Sequence, residues 1–217
     1  MPPYIILQYP YDTIQIALCD NGNILTQTKE HKFNAIKSTI PHIQSMISNQ
    51  NLSLKDLTFI GVNVGPGPYN TLRALLTMAN GIHFASHVPL IGLNALDLLG
   101  SEYPGQNNLV ILQAFADHVF YQFNADSGNQ SGACLITELI EKINNQPAPL
   151  LALGNGAHMY KEKLQSATQG KLIFPDKVPL FNSLETLAKK SFELFLQDST
   201  KKQYLKPIYF EDLQHKN

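Results

Sequence analysis

Few side chains in this sequence have the types and spacing that chemistry needs, and most of them fall in one stretch, FIGVNVGPGPYNTLRALLTMANGI, from Phe59 to Ile82. A β-branched run leads into Gly65-Pro66-Gly67-Pro68, and a helical pattern follows at once. Strand, glycine turn and helix is an order that holds phosphates, with backbone N–H groups and a helix N-terminus facing the anion. The residues of this turn argue for another role. Neither the GxxxxGK[ST] nor the GxGxxG pattern is present. Pro66 and Pro68 also have no N–H to donate. Gly65, Pro66 and Gly67 therefore read as a rigid structural turn that fixes the start of a helix. Tyr69, Asn70, Leu72 and Arg73 follow as candidate partner contacts. Arg73 is the single arginine among 16 Lys+Arg, and interfaces favour aromatic and Arg residues. Tyr69 and Arg73 stand one helical turn apart and form a candidate anchor.

Other chemistry is sparse. A hydrolase needs a nucleophile with a base or a metal, and no Ser, His, Asp order stands out. Asp117-His118 is adjacent in sequence, but strand neighbours point to opposite faces, so it reads as a turn and surface pair. No catalytic residue is assigned. The seven histidines include no HExxH, and Cys19 and Cys134 lack CxxC spacing and lie in or near apolar runs. Buried free thiols and no metal site are expected. The only basic cluster, Lys189, Lys190, Lys201, Lys202 and Lys206, reads as the solvated face of a late helix. A formal net charge of -1 gives no field to grip nucleic acid or an anionic membrane. The N-terminus has no positive n-region, and no apolar stretch reaches about 18 residues, so a cytoplasmic protein with no membrane contact is expected.

The elements that position these residues follow from periodicity. Tyr4–Gln8 reads as a buried strand, and TIQIAL alternates with Ile14, Ile16 and Leu18 on one face. Asn21-Gly22 signals a hairpin, with Asn23–Glu30 returning. A helix is expected from an Asn34 N-cap to Asn49, with Ile36, Ile40, Ile43 and Ile47 as one face and a kink at Pro41. Phe59–Val64 reads as a strand, Thr71–His87 as the longest helix with Leu72, Leu75, Leu76 and Ala79 inward, and Pro89–Leu93 as another strand. Asn94 can cap a short helix.

The composition then shifts to Ser, Pro, Gly and Asn over Ser101–Asn108, which places a boundary at 100/101. Strands follow at Leu109–Ala114 and His118–Asn124, then a loop over NADSGNQSG and a helix at Ile136–Asn144. Leu150–Leu153 is a strand, and Gly154-Asn155-Gly156 opens a further helix. Leu184–Leu196 is an amphipathic helix, and YLKPIYF a short terminal strand or edge segment. Two halves that start alike suggest the duplicated actin-like ATPase (ribonuclease H-like) α/β fold, with mixed-sheet subdomains at 1–100 and 101–217. The last helix is expected to pack back on the first subdomain.

The stretch VNVGPGPYNTLRALLTMANGIHFASHVPLIGLNALDLLG resembles the signature of the TsaB (YeaZ) family, Gly-x-Gly-Pro-Gly-Ser-Phe-Thr-Gly-Leu-Arg-Ile-Gly followed by a helix and Pro-hydrophobic-hydrophobic-Gly. Gly65, Pro66, Gly67, Leu72, Arg73, Gly81, Pro89 and Gly92 match it. The departures are informative. The family's early Asp, which in the wider superfamily helps hold a metal-nucleotide, reads Gln8. Its Asp-Ala-Arg reads Gln113-Ala114-Phe115, and its Ser-Phe-Thr-Gly reads Pro68-Tyr69-Asn70-Thr71. The chain is identified as a divergent member.

The resemblance implies a non-catalytic scaffold. It pairs with a larger homologue, TsaD, which transfers a threonylcarbamoyl group to adenosine 37 of certain tRNAs, and a TsaE homologue supplies an ATPase. A homodimer is implied when the chain is alone, with tRNA reached only through the complex. No cofactor is implied for this chain alone, and ATP belongs to the interface of the complex. The contact would use the helices over 34–49 and 71–87, where Ile43, Met46 and Met78 join Tyr69, Asn70, Leu72 and Arg73 as candidates. The pattern alone leaves open which of them face the core. The competing reading is an active actin-like ATPase or a glycoprotease-type peptidase.

Overall fold

The computed structural model describes residues 3–125, 128–197 and 204–210. The chain forms two compact units, one of Met1–Ala95 and Ser183–Ile208, the other of Leu96–Asn182 and Tyr209–Asn217.

The first unit is built on a sheet of order β3-β2-β1-β4-β5. Its strands are β1 (Tyr4–Gln8), β2 (Thr13–Asp20), β3 (Asn23–His31), β4 (Ile60–Asn63) and β5 (Leu90–Leu93). The first three are antiparallel, and β1, β4 and β5 run parallel. The β2–β3 turn has Asn21 at φ 48° and Gly22 at φ 81°, the positive pair that a type I′ hairpin requires. Register puts Ile5, Leu7, Ile16, Leu18, Ile60 and Val62 on one face. Helices α1 (Lys32–Ser48) and α2 (Tyr69–Ser86) cover that face, contributing Ala35, Ile43, Met46, Ile47, Leu72, Leu75, Leu76 and Ala79 to its core.

The opposite face carries Tyr4, Ile6 and Gly61, and α7 (Leu184–Leu196) lies on it. The Tyr4 hydroxyl donates to the Ala188 carbonyl at 3.0 Å, Tyr4 and Phe59 stack at 4.3 Å, and Phe59 and Phe195 stack at 4.8 Å. Burial pushes the Tyr4 phenol well above its ordinary pKa and the Cys19 thiol beside it up to about 12. Cys19 is thus a buried apolar filler with no thiolate to offer. Ser183 caps α7 by accepting from the Thr186 N–H at 3.1 Å.

The second unit repeats the plan. Its strands are β6 (Asn108–Gln113), β7 (His118–Ala125), β8 (Gly128–Leu135), β9 (Leu150–Leu153) and β10 (Leu172–Ile173), in the order β10-β9-β6-β7-β8. Read from the other edge, that order is the same as the first sheet's. Its helices are α3 (Ala95–Gly100, at the junction of the units), α4 (Ile136–Asn144), α5 (Asn155–Met159) and α6 (Lys161–Ala167). Among the described residues no helix is long and apolar enough to cross a membrane.

Four expectations need correction. The N-cap of α1 is His31, not Asn34, and no side chain caps it. The chain passes from β3 straight into the helix, and Asp12 serves its start. The Asp12 backbone carbonyl accepts the Lys32 N–H at 2.9 Å, and its carboxylate accepts Lys32 Nζ at 2.7 Å. The helix runs on through Pro41. The buried face of α1 is Ala35, Thr39, Ile43, Met46 and Ile47, while Ile36 and Ile40 are exposed. NADSGNQSG is not all loop, since Gly128 onward forms β8 against β7. Of the two forms expected for Tyr204–Phe210 the strand is not formed, although the Ile208 N–H donates to the Val64 carbonyl at 3.1 Å. The amide of Asn80 clamps Leu205 instead, at 2.8 and 3.0 Å, and Pro207 has no N–H for a ladder. Lys201 and Lys202 of the late basic cluster lie outside the described residues.

Candidate functional site

The Gly-Pro-Gly turn is a fixed corner. Gly65 has φ 91°, a conformation that disfavours any side chain. Its N–H donates to Asn63 Oδ1 at 2.9 Å, and its carbonyl accepts the Ala95 N–H at 2.7 Å. The Gly65–Pro66 bond is cis. Leu72 then closes the first turn of α2 by donating to the Pro68 carbonyl at 3.0 Å. Two prolines without N–H and one glycine amide already committed remove three donors that a phosphate cradle would use. A Cβ on Gly65 would sit 2.6 Å from Leu72 Cδ2. Gly65→Ala is therefore expected to cost about 2–3 kcal/mol in a denaturant melt, from left-handed strain plus that collision. A melt equal to the parent's would show that the corner is not constrained.

At the end of β1 the first unit offers a metal-nucleotide an amide and not a carboxylate. Gln8, standing where the superfamily places a carboxylate, is buried, and its Nε2 donates to Gln15 Oε1 at 2.6 Å. A neutral amide cannot neutralise a divalent cation. The Gly154-Asn155-Gly156 turn of the second unit is likewise occupied. Its Gly154 and Asn155 N–H groups donate to the Pro179 and Leu180 carbonyls at 2.8 and 3.0 Å, and Asn155 Oδ1 accepts the Gln113 N–H at 3.0 Å.

His83 and His87 do stand four residues apart, a metal-ligand spacing that the sequence reading passed over. His87 has left α2, at φ 62° in the C-cap, and His83 Nδ1 lies 2.8 Å from the Val88 carbonyl. Among the described residues no group of three or more His, Cys, Asp and Glu could hold a metal ion. Asp117 and His118 lie at the β6–β7 turn, where the Ala114 N–H donates to the His118 carbonyl at 3.0 Å. The Tyr160 hydroxyl, 3.4 Å from Asp117 Oδ1, is shifted to higher pKa by burial first and by that carboxylate second.

The candidate partner residues separate into two sets. Tyr69, Asn70 and Arg73 are exposed at the start of α2. Arg73 donates to the Tyr69 hydroxyl at 2.7 Å, and its guanidinium lies 4.9 Å from the Tyr69 ring centroid. This cation–π and hydrogen-bonded pair holds the guanidinium in one place. Leu72, Ile43 and Met46 point into the core of the first unit, and Met78 is half-buried against it. Those three side chains share one buried cluster with Ile16, Leu18 and Val62.

The exposed apolar groups of the helix pair are others. Phe33 is 83% exposed and Phe84 85%, with Ile36 and Ile40 beside Phe33 along α1. Sequence reasoning missed Phe33 and Phe84. Their signal was a bulky aromatic placed off the core stripe.

The comparisons with known proteins agree with this architecture. A family model described as TsaD, tRNA N6-adenosine threonylcarbamoyltransferase, matches residues 29–192. The chain is 25% identical over 97 residues to the tRNA threonylcarbamoyladenosine biosynthesis protein TsaB of Buchnera aphidicola subsp. Schizaphis graminum, covering 43% of this chain. That match spans 44% of the relative's length. To the protein of the same name from Bacillus subtilis it is 22% identical over 162 residues, 70% of this chain and 71% of that one. Among solved structures, YeaZ from Pseudomonas aeruginosa superposes with a TM-score of 0.70 over 97% of this chain and 100% of its own, at 18% identity. The likeness establishes the fold as the duplicated actin-like one expected from the sequence.

Proposed function

We propose, for a chain that belongs to the TsaD family of tRNA N6-adenosine threonylcarbamoyltransferases, the role of a TsaB-type, non-catalytic subunit that docks a TsaD enzyme for threonylcarbamoyl transfer to adenosine 37 of tRNA. The observation that carries this reading is the outer surface of α1 and α2, where Phe33, Ile36, Ile40 and Phe84 stand exposed on two neighbouring helices. Exposed apolar groups gathered this way mark protein contact surfaces. The neutral Gln8 and the committed amides of both glycine turns support a subunit that leaves nucleotide chemistry to others.

In this role the chain works in the cytoplasm, binds no cofactor alone, and meets ATP only at the interface of the assembled complex. A TsaE homologue joins that complex, and tRNA is reached through it. Alone, the chain pairs with itself through the same helices. Size-exclusion chromatography with light scattering tests the reading, mixing this chain with TsaD from the same organism. The expected result is a peak with the mass of a one-to-one complex. Two separate peaks at micromolar concentration would overturn it.

A further inference from the structure

The charges on the helix pair define what can cover it. Helices α1 and α2 hold 17 and 18 residues and no carboxylate, although the chain has 17 Asp+Glu against 16 Lys+Arg. Their cations are Lys32, Lys37 and Arg73. Two carboxylates of neighbouring segments touch α1, Asp12 with Lys32 at 2.7 Å and Glu30 facing His42 at 3.6 Å. Lys37 and Arg73 are left as positive charges among exposed apolar side chains. Arg73 is the better receptor. Tyr69 takes one of its N–H groups and sets its ring 4.9 Å from the guanidinium carbon, and the rest of the guanidinium fork remains for a planar anion. Gly81, exposed in mid-helix on the same side as Arg73 and Phe84, has nothing within 4 Å of a built Cβ. Its smallness serves no packing inside the unit and leaves room for another backbone to come close.

We propose that Arg73, steadied by Tyr69, receives a carboxylate from the docking surface of the protein partner, and that this partner presents an apolar face carrying acidic residues. The proposal rests on reading α1 and α2 as the docking face. A second copy of the chain fits less well. Pairing α1 and α2 with the same helices of a second copy sets their cations against each other and brings no carboxylate from either helix. The two assemblies should therefore respond to salt in opposite directions. Screening removes attraction from the acidic complex and repulsion from the self-pair.

The test uses the full chain with TsaD from the same organism, by titration calorimetry, and the chain alone, by sedimentation velocity. The complex is expected to weaken about tenfold between about 50 mM and about 500 mM salt, while self-association tightens. At the lower salt Arg73→Glu is expected to weaken the complex about 30-fold, to flatten its salt dependence and to strengthen self-association. A variant that had merely lost its fold would not gain in self-association with an unchanged melt. Arg73→Lys, which keeps the charge and loses the fork, should fall between. A complex indifferent to salt and to Arg73→Glu, yet broken by Phe84→Asp, would overturn this proposal and leave the docking face standing. A complex indifferent to Phe84→Asp as well, or no complex at all, would remove both.

Discussion

Gly154→Ala is expected to lower stability by about 4 kcal/mol. Two causes add. The backbone at Gly154 has φ 99°, which an alanine adopts at a cost of about 1–2 kcal/mol. The new Cβ would also meet the Ile111 carbonyl group, whose carbon lies 3.0 Å from the built position. Ile111 is fixed in β6, which is paired with β7 on one side and β9 on the other. The collision is with backbone that cannot give way without breaking a ladder. Gly170 separates the two causes. It too has positive φ, 78°, but a Cβ there meets nothing within 4 Å. Gly170→Ala should cost only the strain, about 1 kcal/mol. In thermal melts of the whole chain the first substitution is expected to lower the midpoint by about 10 °C or more and the second by a few degrees. Equal shifts would show that the approach to Ile111 contributes nothing.

What was legible in the sequence depended on how completely an element's surroundings are written in its own residues. The strands β1, β2 and β4, the Asn21-Gly22 turn and helices α2, α4 and α7 carry their signal locally, through a buried run, a two-residue period or a single apolar stripe. Helix α1 carries two stripes. Ile36, Ile40, Ile43 and Ile47 recur at helical spacing, but the sheet takes Ile43 and Ile47 and adds Ala35, Thr39 and Met46. Periodicity shows that a helix has an apolar side. It does not show where that side ends when a second apolar surface adjoins it.

Strand β8 failed for the opposite reason. Its first four residues, Gly128 to Ser131, are exposed at a sheet edge, so burial imposed no alternation on them, and only pairing with β7 makes them a strand. The candidate site shows the same limit. Tyr69 and Arg73 stand one helical turn apart in the sequence, and the structure puts them in contact. Phe33 and Phe84 lie off the core stripes of their helices, and periodicity alone gives such residues no role.

That outward placement makes Phe84→Asp, alone and combined with Ile36→Asp, the decisive substitution for function. Phe84 is 85% exposed and Ile36 55%, so folding gains little from either, and melts should stay within about 0.5 kcal/mol of the parent. Binding is another matter. A phenyl ring buried at a protein contact contributes about 2–3 kcal/mol, and a carboxylate in its place must be stripped of water against apolar groups. The single change is expected to weaken the complex with TsaD about 100-fold, and the pair of changes to abolish it at micromolar concentration.

Phe115 is the control. It is 87% exposed on the turn between β6 and β7, away from α1 and α2 in sequence and in a different unit. If exposed aromatic area alone drove association, Phe115→Asp would weaken the complex as much as Phe84→Asp. If the helix pair is the docking face, Phe115→Asp leaves the affinity within about twofold, and only the α1 and α2 substitutions lose the complex while the melt stays where it was.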